Sequence, residues 1–570
     1  MRARGRVRAG DRAWLAPAVL TALLVALPLA ALAVAAARGG VGHWAQLAGT
    51  VLGPALRDTA VLLAGVGAIA VLLGAASAWL VTAHEFPGRR VLSWALLLPL
   101  AMPTYIVAYA YLDLLHPIGP VQGAIRALLG YDSPRQFRLP DVRSMWACIL
   151  LLGCVLYPYV YVTVRAMFLM QAASLVEAAR TLGARPLAVF WRIGLPAARP
   201  AVAVGASLAL MEALNDIGAS EFLGVRTLTV TVYTTWITRS DLAGAAQLAL
   251  AMLLLVVLLI VAERRARRRL AYAASANAPR RLTPIPLRGT ARWVTPALLF
   301  VPVLLGFLAP GAYLLDAGLE RYLDAGISPA LWRGTGHTLA LAAAATILTL
   351  CAGLALAYGA RVAPGAVSRA LQRIGSLGYA VPGTVLAIGL LTPLLAFDHW
   401  FAGVLEAAGM QGVGLVLLGS GTAIVLACTV RFLAIAAGSV EAGLARLPGS
   451  LDAAARSLGQ GPGGLLWRVH LPLLSPALAA AALLVFIDCM KELPATLLLR
   501  PLNIDTLATL LYAEAARGAY EDGALAALFI VIAGLLPVVL LARVGEHRRT
   551  GPAGASAPAT HGLLARPAAA

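Results

Sequence analysis

Residues 177–200 read EAARTLGARPLAVFWRIGLPAARP, and residues 453–476 read AAARSLGQGPGGLLWRVHLPLLSP. At a constant offset of 276, Arg180, Leu182, Gly183 and Trp191 meet Arg456, Leu458, Gly459 and Trp467. Arg192, Leu195, Pro196 and Pro200 then meet Arg468, Leu471, Pro472 and Pro476. Eight identities in order over 24 residues mark an internal duplication. The Ala-rich start favours helix and Gly183 interrupts it. A second helical piece follows, with Leu187, Val189, Phe190 and Ile193 on one face, and Leu195-Pro196 is expected to end it because a residue before proline avoids the α region. The stretch lies between apolar runs, polar enough to face water and apolar enough to dock. A single copy would suit an interfacial helix pair covering its own chain, whereas two copies at matching positions favour a docking site.

The chain around this motif is 60% hydrophobic and only 12% charged over 570 residues, against ~25% charged in soluble domains. Runs of ~20 apolar residues predict membrane-spanning helices. The net charge of +19 comes from arginines gathered between spans, as the positive-inside rule expects, so nucleic acid is not implied. The run ERRARRR at 263–269 directly follows a span and reads as an anchor on anionic lipid. Cys148, Cys154, Cys351, Cys428 and Cys489 lie in apolar stretches without CxxC spacing and read as small core residues. Six histidines, His43, His84, His116, His337, His399 and His470, lack metal-ligand spacing. Lys491 is the only lysine, preceded by Cys-Met and followed by Glu492. A phosphate-binding P-loop needs Lys followed by Ser or Thr after a glycine-rich turn, so the chain has none and any ATPase must be a partner.

Spans are expected near 13–37, 57–82, 91–115, 145–170, 200–223 and 243–262, then 293–315, 336–360, 370–396, 414–438, 473–497 and 523–543. The first apolar run exceeds the 7 to 15 residues of a signal peptide and reads as an uncleaved span with a cytoplasmic N-terminus. The expected organisation is residues 1–262 as a first repeat, 263–291 as a cytoplasmic basic linker, 292–545 as a second repeat and 546–570 as a disordered tail. The arginine-rich loops, both motif copies and both termini fall on the cytoplasmic side. At an offset of 279, Thr59, Pro103, Tyr233 and Gly244 meet Thr338, Pro382, Tyr512 and Gly523. The fold expected is all-α: a polytopic membrane protein of about 12 transmembrane helices, as two parallel six-helix repeats with a pathway between them.

After each motif copy the next span carries charge: Glu212, Asn215 and Asp216 in the first, Asp488, Lys491 and Glu492 in the second. Spacings of three and four place them on one helical face. Charge at membrane depth is costly unless it faces a cavity or a partner. These residues therefore read either as a pathway or gate lining that tolerates a cation, or as structural groups that pair together or cap a broken helix. No metal site is firmly assigned, and no nucleophile constellation marks catalysis.

The pattern Glu177-Ala178-Ala179, with Gly183 six residues after the glutamate and then Ile193-x-Leu195-Pro196, resembles the cytoplasmic coupling loop of the membrane subunits of binding-protein-dependent ABC importers. In the second copy Asp452, Ala454, Gly459, Leu471 and Pro472 take the corresponding places, with Ala453 where Glu177 stands. Residues 215–233 and 491–512 resemble segments of fused two-repeat permeases of the ferric iron branch, and the likeness runs over about 55–545. The resemblance implies a type I permease in a bacterial inner membrane, not itself an enzyme. It implies two copies of a cytoplasmic ATPase that carry ATP-Mg, a periplasmic binding protein that delivers ferric iron, and no cofactor on this chain. Relatives that import thiamine, polyamines or aminoethylphosphonate share the scaffold. An ion-coupled secondary transporter is the rival from another class, with the intramembrane charges as its ion site, and the duplicated loop argues against it.

Overall fold

In the computed structural model, residues 13–171, 177, 179, 181–268, 284–410, 412 and 414–550 are described. Ala178, Arg180, the first arginines, most of the basic linker and the tail beyond 550 lie outside them. Among the described residues eleven helices are long and apolar enough to cross a membrane, and a bent pair brings the number to twelve.

The first half holds α1 (Leu15–Arg38), α2 (Gly40–Ala83), the pair α3 (Arg89–Ala101) and α4 (Thr104–Leu114), α5 (Pro120–Leu129), α6 (Met145–Gln171) and α7 (Phe190–Asn215). It closes with α8 (Gly218–Phe222), α9 (Leu228–Ile237) and α10 (Leu242–Arg268). The second half runs α11 (Ala291–Ala325), α12 (Pro329–Val362), α13 (Ala366–Gly375), α14 (Gly383–Ala407), α15 (Thr422–Ala445), α16 (Gly449–Ser457) and α17 (Pro462–Met490). Then come α18 (Pro494–Leu499), α19 (Leu507–Arg517) and α20 (Tyr520–Thr550). The repeat is visible in single bonds. Leu228 N–H donates to the Thr59 hydroxyl at 2.9 Å and Leu507 N–H donates to the Thr338 hydroxyl at 2.8 Å, so the starts of α9 and α19 are each pinned to the second span of their own half.

The first span of each half packs on the last span of its own half and also reaches into the other half. Helix α1 packs on α14, where a Cβ at Gly389 would stand 2.4 Å from the Pro28 carbonyl oxygen. Reciprocally, Tyr111 donates to the Leu305 carbonyl of α11 at 2.9 Å, and Tyr313 of α11 donates to Asp113 at 2.8 Å. The halves are thus clasped by an exchange of helices. A two-residue parallel pair, β1 (His84–Glu85) with β2 (Ile285–Pro286), ties the returning linker to the end of α2.

Four sequence expectations change, the first being the span expected at 370–396, which divides into α13, ending at Gly375, and α14, starting at Gly383. The span expected at 91–115 is broken by 90° between α3 and α4, at Met102-Pro103, where the chain turns extended. The spans expected to run through 200–223 and 473–497 stop at Asn215 and Met490 and restart as α8 and α18. Leu195-Pro196 does not end a helix: Leu195 is in the α region, and α7 runs straight through. The reason is a π turn at Phe190–Gly194, matched by one at Leu466–His470 before Leu471-Pro472. Proline cannot donate an amide bond and crowds the preceding turn, and one wider turn absorbs both effects. The second helical piece of each motif is therefore the first turn of the next span.

Candidate functional site

Two kinds of site emerge: a pair of loops at one end of the spans and a charged cavity between the halves. In the loops, Gly183 and Gly459 hold φ of +77° and +79°, the left-handed conformation that glycine adopts without the Cβ penalty. Each closes a Schellman-type end, with Ala184 N–H on the Ala179 carbonyl at 3.1 Å and Gln460 N–H on the Ala455 carbonyl at 3.0 Å. Leu182 and Leu458, one residue earlier, are 86% and 80% exposed. Ala179 and Ala455, three residues earlier, are buried. Each loop thus turns one small residue inward and one large apolar residue out.

The two loops are anchored differently. Asp452 accepts Nε and Nη2 of Arg361 at 3.0 and 2.9 Å, and the His470 ring meets it at 3.0 Å. Burial alone would raise the Asp452 carboxyl, but the bonds from Arg361 and His470 outweigh it and hold the group below its ordinary value. Arg361 also donates to the Leu444 and Leu447 carbonyls, which locks the loop to both neighbouring spans. In the first half Thr82 and Gly194 occupy the places of Arg361 and His470. There Trp79 packs on Phe168 and Phe190 with ring centroids 5.3 and 5.6 Å away. The second loop is held by this charged cluster, and the root of the first carries aromatic packing in its place.

The cavity, of about 120 Å³, lies where α7 and α17 break, walled by α3, α4, α6 and α15. Glu212, Asn215, Asp216, Asp488, Lys491 and Glu492 all line it, so the two charged clusters meet there from opposite halves. They are not on a single continuous helical face, because both helices end inside the cluster. Asp216 caps α8, accepting the Ser220 N–H at 3.0 Å and the Thr104 hydroxyl. Glu492 caps α18, accepting the Ala495 and Thr496 N–H at 3.0 and 2.9 Å. Asn215 joins the halves by accepting the Gly383 N–H at 2.7 Å. Lys491 pairs with Asp488 at 2.8 Å.

Sequence reasoning missed Arg431, which enters the cavity from α15 and pairs with Glu492 at 2.9 Å. Its signal was a lone arginine in the apolar run VLACTVRFLAIAA. Tyr159 and Tyr379 also face the cavity and carried no signal. Four carboxylates against two cations leave a formal excess of two negative charges. Among the described residues no three of His, Cys, Asp and Glu are grouped to hold a metal ion.

Residues 70–272 and 349–550 each match the family model described as binding-protein-dependent transport system inner membrane component. The chain is 25% identical over 501 residues to the Fe(3+)-transport system permease protein FbpB 2 of Haemophilus influenzae, covering 85% of this chain and 89% of that one. A putative 2-aminoethylphosphonate transport system permease protein of Salmonella choleraesuis is 31% identical over 183 residues, 32% of this chain and 63% of that one. The molybdenum transport system permease protein ModB of Escherichia coli is 32% identical over 187 residues, 31% of this chain and 78% of that one.

Proposed function

We propose that ferric iron is the cargo of this chain, which belongs to the family of binding-protein-dependent transport system inner membrane components, with both of its repeats in one polypeptide. The chain is the multi-pass membrane permease of an ABC importer. What supports iron is the likeness to an Fe(3+) permease over 85% of the chain, whereas the phosphonate and molybdenum permeases match about a third of it. The excess of carboxylates in the cavity agrees with a cationic cargo. Arg431 and Lys491 would suit an oxyanion, but each is already bonded to a carboxylate at 2.9 and 2.8 Å.

Two copies of a cytoplasmic ATPase dock on the loops at 177–196 and 452–472, and a periplasmic binding protein delivers the cargo on the opposite side. The observation that carries the docking is the matched pair of exposed leucines, Leu182 and Leu458, each at a glycine-closed helix end. Closing the ATPase dimer on ATP draws the loops together and, through α7 and α17, moves the two helix breaks apart. N- and C-termini lie on the loop side. The test is uptake of radiolabelled ferric iron into proteoliposomes that hold this chain, its ATPase and its binding protein. ATP-dependent iron accumulation supports the reading. Accumulation of molybdate or aminoethylphosphonate and not iron overturns the cargo, and uptake without any ATPase overturns the mechanism.

A further inference from the structure

We infer that Lys491 is a built-in stand-in for the cargo: its ammonium occupies, between turnovers, the place in which a multivalent hard cation binds to Glu212 and Asp488. The inference rests on the cargo being a cation.

The argument begins with what the four cavity carboxylates already do. Asp216 and Glu492 are committed, since their oxygens cap α8 and α18, and Glu492 also holds Arg431. Breaking those bonds would unpin the helix restarts. Glu212 and Asp488 are the remaining pair, and they are repeat-equivalent at the offset of 276. Among the described residues Asp488 holds Lys491 alone and Glu212 makes no hydrogen bond or ion pair, although Arg431, Lys491 and Asp488 are near enough to act on it electrostatically. Two uncommitted carboxylates thus face one cavity from opposite halves. Tyr159 and Tyr379 share that cavity and are near enough to feel Glu212 and Asp488.

The repeat also shows which residue departs from symmetry. Asn215 stands where Lys491 would fall, and its amide is fixed to the Gly383 N–H. The second half places the chain's only lysine there instead. A lysine ammonium is a compact point charge on a flexible four-carbon stem, unlike the planar fork of arginine. It can neutralise Asp488 in an empty cavity and swing aside when a stronger charge arrives. A monovalent ion gains nothing by displacing an ammonium of equal charge, whereas a di- or trivalent ion does. Lys491 therefore sets a charge threshold for cations in transit. Release is assisted in turn, because the tethered ammonium returns to Asp488 as the cation leaves.

The test uses the purified full-length chain in detergent, with Tb³⁺ as a hard trivalent probe whose emission is sensitised by nearby tyrosine. Lys491→Gln is expected to tighten Tb³⁺ binding by about tenfold, equivalent to the loss of one modest competing ion pair. Adding Glu212→Gln should remove that gain, and Ga³⁺ should compete. The wild-type chain gives an independent reading, because Lys491 carries its only lysine amine. Acylation of Lys491, followed by peptide mass spectrometry, should rise in Ga³⁺ and not in Na⁺. Unchanged Tb³⁺ affinity in Lys491→Gln, a gain that survives Glu212→Gln, or acylation indifferent to Ga³⁺ overturns the inference. Iron uptake with an unmoved Lys491 sinks this inference alone. A Lys491-dependent Tb³⁺ site without iron uptake sinks only the iron reading and leaves a different hard cation as cargo.

Discussion

Arg361 grips Asp452 through two parallel N–H···O bonds, of 3.0 and 2.9 Å, across the root of the second loop. In the first half Thr82 replaces the arginine, and its hydroxyl turns back to the Ala78 carbonyl at 2.6 Å. A permease with one chain for both loops is free to let them diverge, since each copy needs to fit only its own neighbours. The consequence is a second loop whose anchor depends on charge.

Replacing Arg361 by Ala removes a forked, charge-assisted pair and two carbonyl bonds, a loss of ~1–3 kcal/mol local to the second loop. Uptake should fall severalfold while the protein still inserts, and Trp79→Ala should loosen the first loop instead. The same pair gives a pH signature. Asp452 is held below its ordinary value, so its contribution is fully present above the unfolded carboxylate value of ~3.9 and fades as pH falls through its lower folded value. Hydrogen exchange pulsed at pH 5 and pH 3 should show residues 449–470 opening only at the lower pH, with 181–195 unaffected.

Gly183→Ala and Gly459→Ala each force a Cβ into the left-handed region, at ~1–2 kcal/mol. No heavy atom lies within 4 Å of either added Cβ, so the penalty is conformational and not steric. Transport should weaken with Ala and vanish with Asp, which adds charge beside the exposed leucine. Normal uptake in both aspartate variants would remove the assignment of these loops as ATPase grips.

How far the sequence reached is clear from individual residues. Thr59 and Thr338 paired at an offset of 279, and the structure gives them one bond each to matching amides. Gly183 and Gly459 read as helix interruptions, which they are. The clusters at 212–216 and 488–492 stood out because charge in an apolar run is costly. What stayed hidden was set by long-range contact. The prolines at 196 and 472 looked like helix ends, because the rule for a residue before proline takes no account of a π turn. The exchange of α1 and α11 between halves leaves no local pattern. Arg431 lacked a companion at helical spacing, and only the fold brings Glu492 to it.

Tyr512 of the second half donates to Glu221 of the first at 2.6 Å, and its ring stacks on Phe222. These contacts lie beyond the far end of α7 from the loops, and they join the two halves there. A hydrogen bond to a charged group contributes ~1.5–3 kcal/mol. Tyr512→Phe keeps the stacking and loses the bond, so it should favour the outward-open form. ATP hydrolysis by the reconstituted importer without binding protein should then rise up to ~10-fold. Basal hydrolysis equal to wild type would show that the contact is not a latch.

Asp216 and Glu492 separate capping from conduction. Both carboxylates accept backbone N–H groups at a helix restart, a role that an uncharged amide can fill because its carbonyl oxygen also accepts. Asp216→Asn should therefore retain most uptake, whereas Asp216→Ala removes the acceptor and costs ~0.5–2 kcal/mol at α8. Glu492→Gln is a different case: its carboxylate also neutralises Arg431, whose side chain is 12% exposed, and an amide would leave that guanidinium buried without a counter-charge. Glu492→Gln should lower both uptake and thermal stability, and Arg431→Met in the same chain should restore part of the stability. A charge-conducting role would show the reverse order, with Asp216→Asn as damaging as Asp216→Ala and no rescue at Arg431. Parallel uptake and melting measurements on the four variants decide between them.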